Sequence, residues 1–174
     1  PMGPFTLSDE VGLDVGIKVL HILENAFGER FKPGATFDKV FEKKLFGKKV
    51  GKGFYLHEKT RVPNPEIESL IPQGSRTALN REECEKRLIY LMINEGAGCL
   101  NDGIVDDPGA IDVGMIFGTG FPPFHGGLLK YADTVGIDNI IKELERLRST
   151  YKSDRFIPSP YLVKLKQSGK KFYN

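Results

Sequence analysis

Cysteine is scarce: Cys84 and Cys99 are the two in a chain of 174 residues. Two cysteines cannot build a disulfide framework, and such usage fits a reducing compartment. Long apolar runs are missing too. The longest, Leu88 to Ile93, is six residues, against about 20 for a membrane-spanning helix. Nor does charge of one sign dominate. Lys+Arg 25 against Asp+Glu 23 leaves +2 with histidine neutral, which excludes the basic excess or stripe of a nucleic-acid-binding protein. The opening Pro1-Met-Gly-Pro-Phe5 has neither an initiator Met nor a signal or transit peptide, so it reads as a chain cut from a larger one. What is present is 40% hydrophobic residues. That suffices for a core and excludes disorder.

Periodicity predicts a mostly helical chain. Pro1 to Pro4 reads as a turn in which Gly3 can take φ > 0. Phe5 to Val11 reads as two helical turns and Gly12 as a break. Leu13 to Phe27 reads as an amphipathic helix with Asp14 in its first turn and Gly28 at its end. Phe37 to Leu45 is a short helix, and Gly53 to His57 is a short extended piece. Pro63, Pro65 and Pro72 mark 58–79 as a linker. Asn80 to Leu100 is the longest helix, with Cys84, Leu88, Leu91, Met92 and Cys99 on one face, which makes both thiols core residues. Asp107-Pro108 caps a helix to about Phe117. Leu128 to Val135, Ile137 to Leu147 and a helix capped by Ser159-Pro160 follow.

The chain repeats itself. Sliding Pro1–Leu20 onto His125–Leu144 gives eight identities, among them Asp9/Asp133, Gly12/Gly136, Asp14/Asp138 and Ile17/Ile141. Further on, Arg30-Phe31-x-Pro33 falls on Arg155-Phe156-x-Pro158, and Gly51-Lys52-x-Phe54-Tyr55 on Gly169-Lys170-x-Phe172-Tyr173. Three blocks in one order predict an all-α fold of two pseudo-repeated units related by about a two-fold: 1–57 truncated at its start, linker 58–79, and 80–174 complete. The second copy is preceded by the 80–100 helix and the Asp107-Pro108 helix, and counterparts for the first copy lie before Pro1. Phe5, Leu13 and Ile17 are then left without their cover, and the isolated chain is expected to self-associate.

Motifs for chemistry are weak. His21, His57 and His125 are far apart, and His57-Glu58 meets Arg61 where a second ligand histidine belongs. They read as surface or packing residues, and no metal site is expected. Gly47-Lys-Lys-Val-Gly51-Lys52-Gly53 imitates a phosphate loop but is one residue short and lacks the Ser/Thr for Mg²⁺. Gly118-Thr-Gly120 lacks the third glycine of a dinucleotide loop and follows a helix pattern rather than a strand. Lysines 43, 44, 48, 49 and 52 form a basic cluster that reads first as a solvated face and second as a phosphate contact. Glu95 reads as a residue tying down a neighbouring loop, with a general base as the alternative.

At the repeated blocks the chain resembles a known family. Pro1-Met-Gly-Pro-Phe-x-Leu-x-Asp9-x-x-Gly-Leu-Asp14 and Gly47-Lys-Lys-x-Gly-x-Gly-Phe-Tyr55 are similar to the C-terminal domain of 3-hydroxyacyl-CoA dehydrogenase. Asn94-Glu-Gly-Ala97, Asp112, Gly118-x-Gly-Phe-Pro-Pro-Phe-x-Gly-Gly127 and Tyr131-x-Asp133 resemble its second copy in multifunctional β-oxidation enzymes. The ending Lys170-Lys-Phe-Tyr173 is similar to the mitochondrial trifunctional members of that group.

That resemblance implies a parent enzyme that oxidises (3S)-3-hydroxyacyl-CoA to 3-ketoacyl-CoA with NAD and also carries an enoyl-CoA hydratase. It implies an upstream Rossmann domain that binds NAD and supplies the catalytic His–Glu pair, and a catalytic Asn upstream of Pro1. This segment then carries no catalytic, cofactor or metal residue. Pro1, Met2, Gly3 and Pro4 border the acyl-CoA cleft, and the second copy replaces the partner domain that single-copy relatives obtain by dimerising. Partners implied are the Rossmann domain, acyl-CoA and a thiolase subunit, in a mitochondrion or, alternatively, a peroxisome or bacterial cytoplasm. Two other readings of the repeat are an autonomous helical interaction module and the substrate domain of another hydroxy-acid dehydrogenase.

Overall fold

Glycine decides where the first helices stop. In the computed structural model, which describes residues 2–72 and 80–173, α1 (Pro4–Val11) ends at Gly12, φ 103° and ψ 123°, and α2 (Leu13–Phe27) starts there. Far along the chain, α7 (Leu128–Val135) ends at Gly136, φ 94° and ψ 127°, and α8 (Ile137–Tyr151) starts there. That region of φ is costly for any residue with a Cβ. Each helix pair is 8 and 15 residues long. Each is followed by a 3-10 turn over the Arg-Phe pair, Gly28–Phe31 and Asp154–Phe156. The repeat seen in sequence is therefore a repeat of backbone.

The chain divides into two compact units, Pro1–Ala78 and Leu79–Asn174. In the first, α3 (Thr36–Glu42) follows the 3-10 turn, and β1 (Tyr55–His57) pairs antiparallel with β2 (Arg61–Pro63). Then comes α4 (Pro65–Leu70), capped by the Asn64 side chain accepting from Glu66 N–H. The stretch 58–79, read from sequence as a linker, is thus built into the first unit over 58–72. Ile67 of α4 joins Leu13, Ile17, Val40 and Leu45 in its core. The prolines there cap a strand and open a helix at its first position, where a missing N–H costs nothing. Residues 73–79 lie outside the described ones.

In the second unit α5 (Arg81–Asn101) lies against α7, α8 and α9 (Pro160–Ser168), with α6 (Pro108–Thr119) against α7. Ile93, Ala97, Leu129, Ile140, Leu144 and Leu162 are sealed from solvent in its core. The buried face of α5 is Tyr90, Ile93, Asn94 and Ala97, an i, i+3, i+4, i+7 stripe. This corrects the sequence reading at Cys84 and Leu88, whereas Leu91 and Met92 of the same predicted face do pack against the core. Leu88 is 58% exposed and Cys84 is exposed, with Cys99 half-buried. The six-residue apolar run misled because every helix face passes through it. Among the described residues no helix is long and apolar enough to cross a membrane.

Candidate functional site

Both repeats are closed by the same device. Asp9, on α1 and fully buried, accepts Phe54 N–H at 2.8 Å and Tyr55 N–H at 2.9 Å. Asp133, at the same place on α7, accepts Phe172 N–H and Tyr173 N–H, each at 2.9 Å. A carboxylate out of water needs such donors, and two amides in register supply them. A third donor completes the first site, where His57 Nε2 lies 2.7 Å from Asp9 Oδ2. His57 is therefore a packing residue of the Asp9 site, as a satisfied core histidine would be.

The look-alike phosphate loop owes Gly47 and Gly53 to Asp9. A Cβ at Gly47 would collide with the Asp9 backbone, and one at Gly53 with its carboxylate. The anion this loop encloses is the protein's own. Three of the basic cluster's five lysines donate to carboxylates. Lys48 donates to Glu10 at 2.9 Å, Lys49 to Asp14 at 2.5 Å and Lys43 to Glu66 at 3.1 Å. Lys49 holds the Asp14 carboxyl below its ordinary range and Lys43 does the same to Glu66. Lys52 lies 3.7 Å from Glu66, so five lysines face three carboxylates and the cluster keeps a basic excess. Gly118-x-Gly120 closes the C-terminal end of α6, with Gly120 at φ 73°. That is the carbonyl end of the helix dipole, the wrong sign for a pyrophosphate. Neither glycine stretch fits NAD. Among the described residues no group of His, Cys, Asp and Glu could hold a metal ion.

The turn expected to border a substrate cleft is exposed at Met2, Gly3 and Pro4. Pro1 lies outside the described residues. Gly3 has φ −69° and ψ 162°, so the positive φ expected of it is not used: Pro4 at the first helical position needs an extended residue before it. A Cβ on Gly3 would meet nothing within 4 Å. Behind the turn, the Phe5 and Phe54 rings lie 4.5 Å apart, and Arg61 Nη1 donates to Thr6 Oγ1 at 3.1 Å. The turn is thus tied to the strand that Asp9 fixes. Beside it an apolar groove of about 360 Å³ runs between Leu7, Val11, Leu13, Ile17 and Leu20. Leu13 and Ile17, expected to be uncovered, are buried on Val40 and Ile67, whereas Phe5 remains 55% exposed.

In the second unit, Asp112 on α6 accepts Leu129 N–H at 2.6 Å, Lys130 N–H at 3.1 Å and the Tyr173 hydroxyl at 2.6 Å. Asn94 ties α5 to the loop before α9, donating to Ile157 O at 2.8 Å and accepting Ser159 N–H at 2.7 Å. Asn94 thus makes a tie of the kind expected of its neighbour Glu95, and a helix-face argument cannot separate neighbours one position apart.

Two helical units of one plan, each locked by an aspartate that caps a Phe-Tyr pair, define a duplicated helical domain, with no dinucleotide loop among the described residues. A family model for the 3-hydroxyacyl-CoA dehydrogenase C-terminal domain matches residues 1–57 and again 85–172. The chain belongs to that family. It is 43% identical over 99% of its length to the fatty acid oxidation complex subunit alpha of Shewanella amazonensis, and 42% identical over 99% to that of Shewanella sp. strain MR-7. It spans 25% of the length of each. Among solved structures, 3-hydroxybutyryl-CoA dehydrogenase from Escherichia coli matches with TM-score 0.75 at 22% identity, covering 97% of this chain and 52% of that one. The dehydrogenase part of multifunctional enzyme 1 from C. elegans matches with TM-score 0.65 at 25% identity, covering 94% and 38%.

Proposed function

We propose that this chain is the C-terminal helical part of a multifunctional β-oxidation enzyme. The whole enzyme oxidises (3S)-3-hydroxyacyl-CoA to 3-ketoacyl-CoA, with NAD held by a Rossmann domain outside this chain, and also carries an enoyl-CoA hydratase. The observation that carries this reading is the 43% identity over 99% of the chain to a fatty acid oxidation complex subunit alpha. Within that enzyme the segment supplies a wall of the acyl-CoA cleft, Pro1 to Pro4, and a second helical copy that pairs with the first. It supplies no catalytic residue, and the purified chain with NAD and a 3-hydroxyacyl-CoA produces no NADH.

Gly3 supports the placing of the wall. Neither its φ nor any neighbour within the chain requires glycine, so the reason for one lies in what approaches from outside. The relatives suggest a thiolase subunit as partner, because their name describes a complex. The compartment is mitochondrial on the resemblance of the tail, and the bacterial cytoplasm is the alternative that the Shewanella relatives favour. In the full-length protein, Gly3→Leu raises KM for acyl-CoA more than KM for NAD. Equal change in both means a folding defect and sinks the wall assignment.

A further inference from the structure

The second unit has a pocket at the place where the first unit has its cleft-bordering turn. The repeat puts Pro1–Pro4 on His125–Leu128. His125 walls a pocket of about 450 Å³ whose other sides include Tyr90, Phe121 and Tyr131 and, at the charged rim, Glu82, Glu85 and Lys86. That is within the range of small-molecule sites. The rings form one cluster, with His125 and Tyr131 centroids 4.9 Å apart and Phe121 and Tyr131 6.3 Å apart. Among the described residues, no protein group hydrogen-bonds either tyrosine hydroxyl or the His125 imidazole, and none of these polar atoms is sealed from solvent. Three polar groups therefore converge on one cavity without a protein acceptor or donor. Two other tyrosines of this unit are bonded within the protein: the Tyr151 hydroxyl donates to Glu83 at 2.8 Å and the Tyr173 hydroxyl to Asp112.

We infer that this pocket binds a coenzyme A thioester, as a second site built from the same turn of the repeat; the inference rests on the reading of Pro1–Pro4 as an acyl-CoA wall. The chemistry matches part by part. The pantetheine arm is a chain of amides, which the two hydroxyls and the imidazole can hydrogen-bond. Its methylene segments lie against Phe121 and Ile89, which also line the pocket. The phosphates reach the N-terminal end of α5, where Arg81 and Lys86 stand at the rim. Those cations are paired within their own helix, Arg81 with Glu85 and Lys86 with Glu82, each at 2.6 Å. Arg81 is 92% exposed. Exchanging an exposed i, i+4 partner for a phosphate costs little, because such pairs contribute little.

The test is an amide-resonance titration of the 174-residue chain with acetyl-CoA, with pantetheine and ADP as separate arms. Acetyl-CoA should move Tyr90, His125 and Tyr131 to saturation, and pantetheine should move the same set more weakly. The double variant Tyr90→Phe, Tyr131→Phe keeps both rings and removes hydroxyls that bind no protein group, so the free chain melts as before. Its Kd for acetyl-CoA should rise about tenfold, two modest hydrogen bonds' worth. Full reproduction of the shifts by ADP alone would reduce the site to a phosphate contact and overturn the assignment. So would an unchanged Kd in the double variant, or no movement in the second unit at millimolar ligand. Gly3 kinetics in the full-length protein test the first unit separately, so either reading can fail without the other.

Discussion

Asp133 holds the Tyr173 backbone N–H at 2.9 Å, across 40 residues of chain, as Asp9 holds that of Tyr55 at 2.9 Å across 46. Each contact fastens the Phe-Tyr segment of a repeat to the eight-residue helix that precedes its glycine break. Asp133→Ala leaves two amide donors without an acceptor, which costs roughly 2–4 kcal/mol. Asp9→Ala should cost more, because His57 Nε2 loses its partner too. Chemical denaturation of both variants checks the order. Equal losses mean that His57 adds nothing to the first site.

Gly53 has no room for a side chain beside Asp9. A methyl group at Gly53 would overlap the Asp9 carboxylate and the Gly47 backbone. Gly53→Ala is therefore expected to destabilise by roughly 3 kcal/mol or more, as overpacking against a fixed hydrogen-bonded group does. Gly51→Ala is the control. It has φ 76° but nothing within 4 Å of a new Cβ, so only backbone strain of about 1 kcal/mol applies. Similar losses at both positions would mean that Asp9 can move aside.

Burial, and then its hydrogen bond to Asp112, push the Tyr173 hydroxyl well above tyrosine's ordinary 10.0. Above that pH the unfolded chain gives up this proton while the folded chain keeps it. The stabilisation is thus complete below pH 10 and declines as the pH climbs past it. Urea midpoints between pH 8 and 11 should fall, and Tyr173→Phe should flatten the fall while lowering stability at neutral pH by roughly 1–2 kcal/mol. An unaltered slope would assign the alkaline loss to Tyr90 and Tyr151, whose hydroxyls are also raised.

The first unit exposes an apolar face that its twin does not. Val15, Val19 and Ile22 are 43%, 47% and 65% exposed on α2, where the repeat gives α8 Asn139, Glu143 and Arg146. On α8 that face is crossed by α5, with Arg146 Nη2 on Glu83 at 2.5 Å. The isolated chain is expected to self-associate through the α2 face, and sedimentation over a tenfold concentration range should show it. Ile22→Lys should weaken the association about tenfold or more, since a buried isoleucine contributes roughly 1.5–3 kcal/mol. A monomer at every concentration would mean that an apolar face this size stays in water.

Most of the helices, the repeat and the family were legible in the sequence, because these rest on local chemistry: glycine at a break, aspartate and proline at a helix start, and apolar spacing along a face. Gly12 and Gly136 were readable as equivalent breaks before any fold was known. Which residue lies behind a glycine was not readable. Only the tertiary structure put Asp9 inside the Gly47–Gly53 loop and turned an apparent phosphate cradle into a protein carboxylate site, since that contact joins segments 45 residues apart. It also decided that 58–72 is packed rather than linking, through one buried isoleucine in a proline-rich stretch whose pattern is too short to show a period. The face of α5 was settled the same way. An unbroken apolar run presents every helix face equally, so only the surrounding helices select which one is core. The open hydroxyls of Tyr90 and Tyr131 belong to the same class of fact. A sequence shows that a tyrosine can hydrogen-bond, and packing alone determines whether anything in the protein answers it.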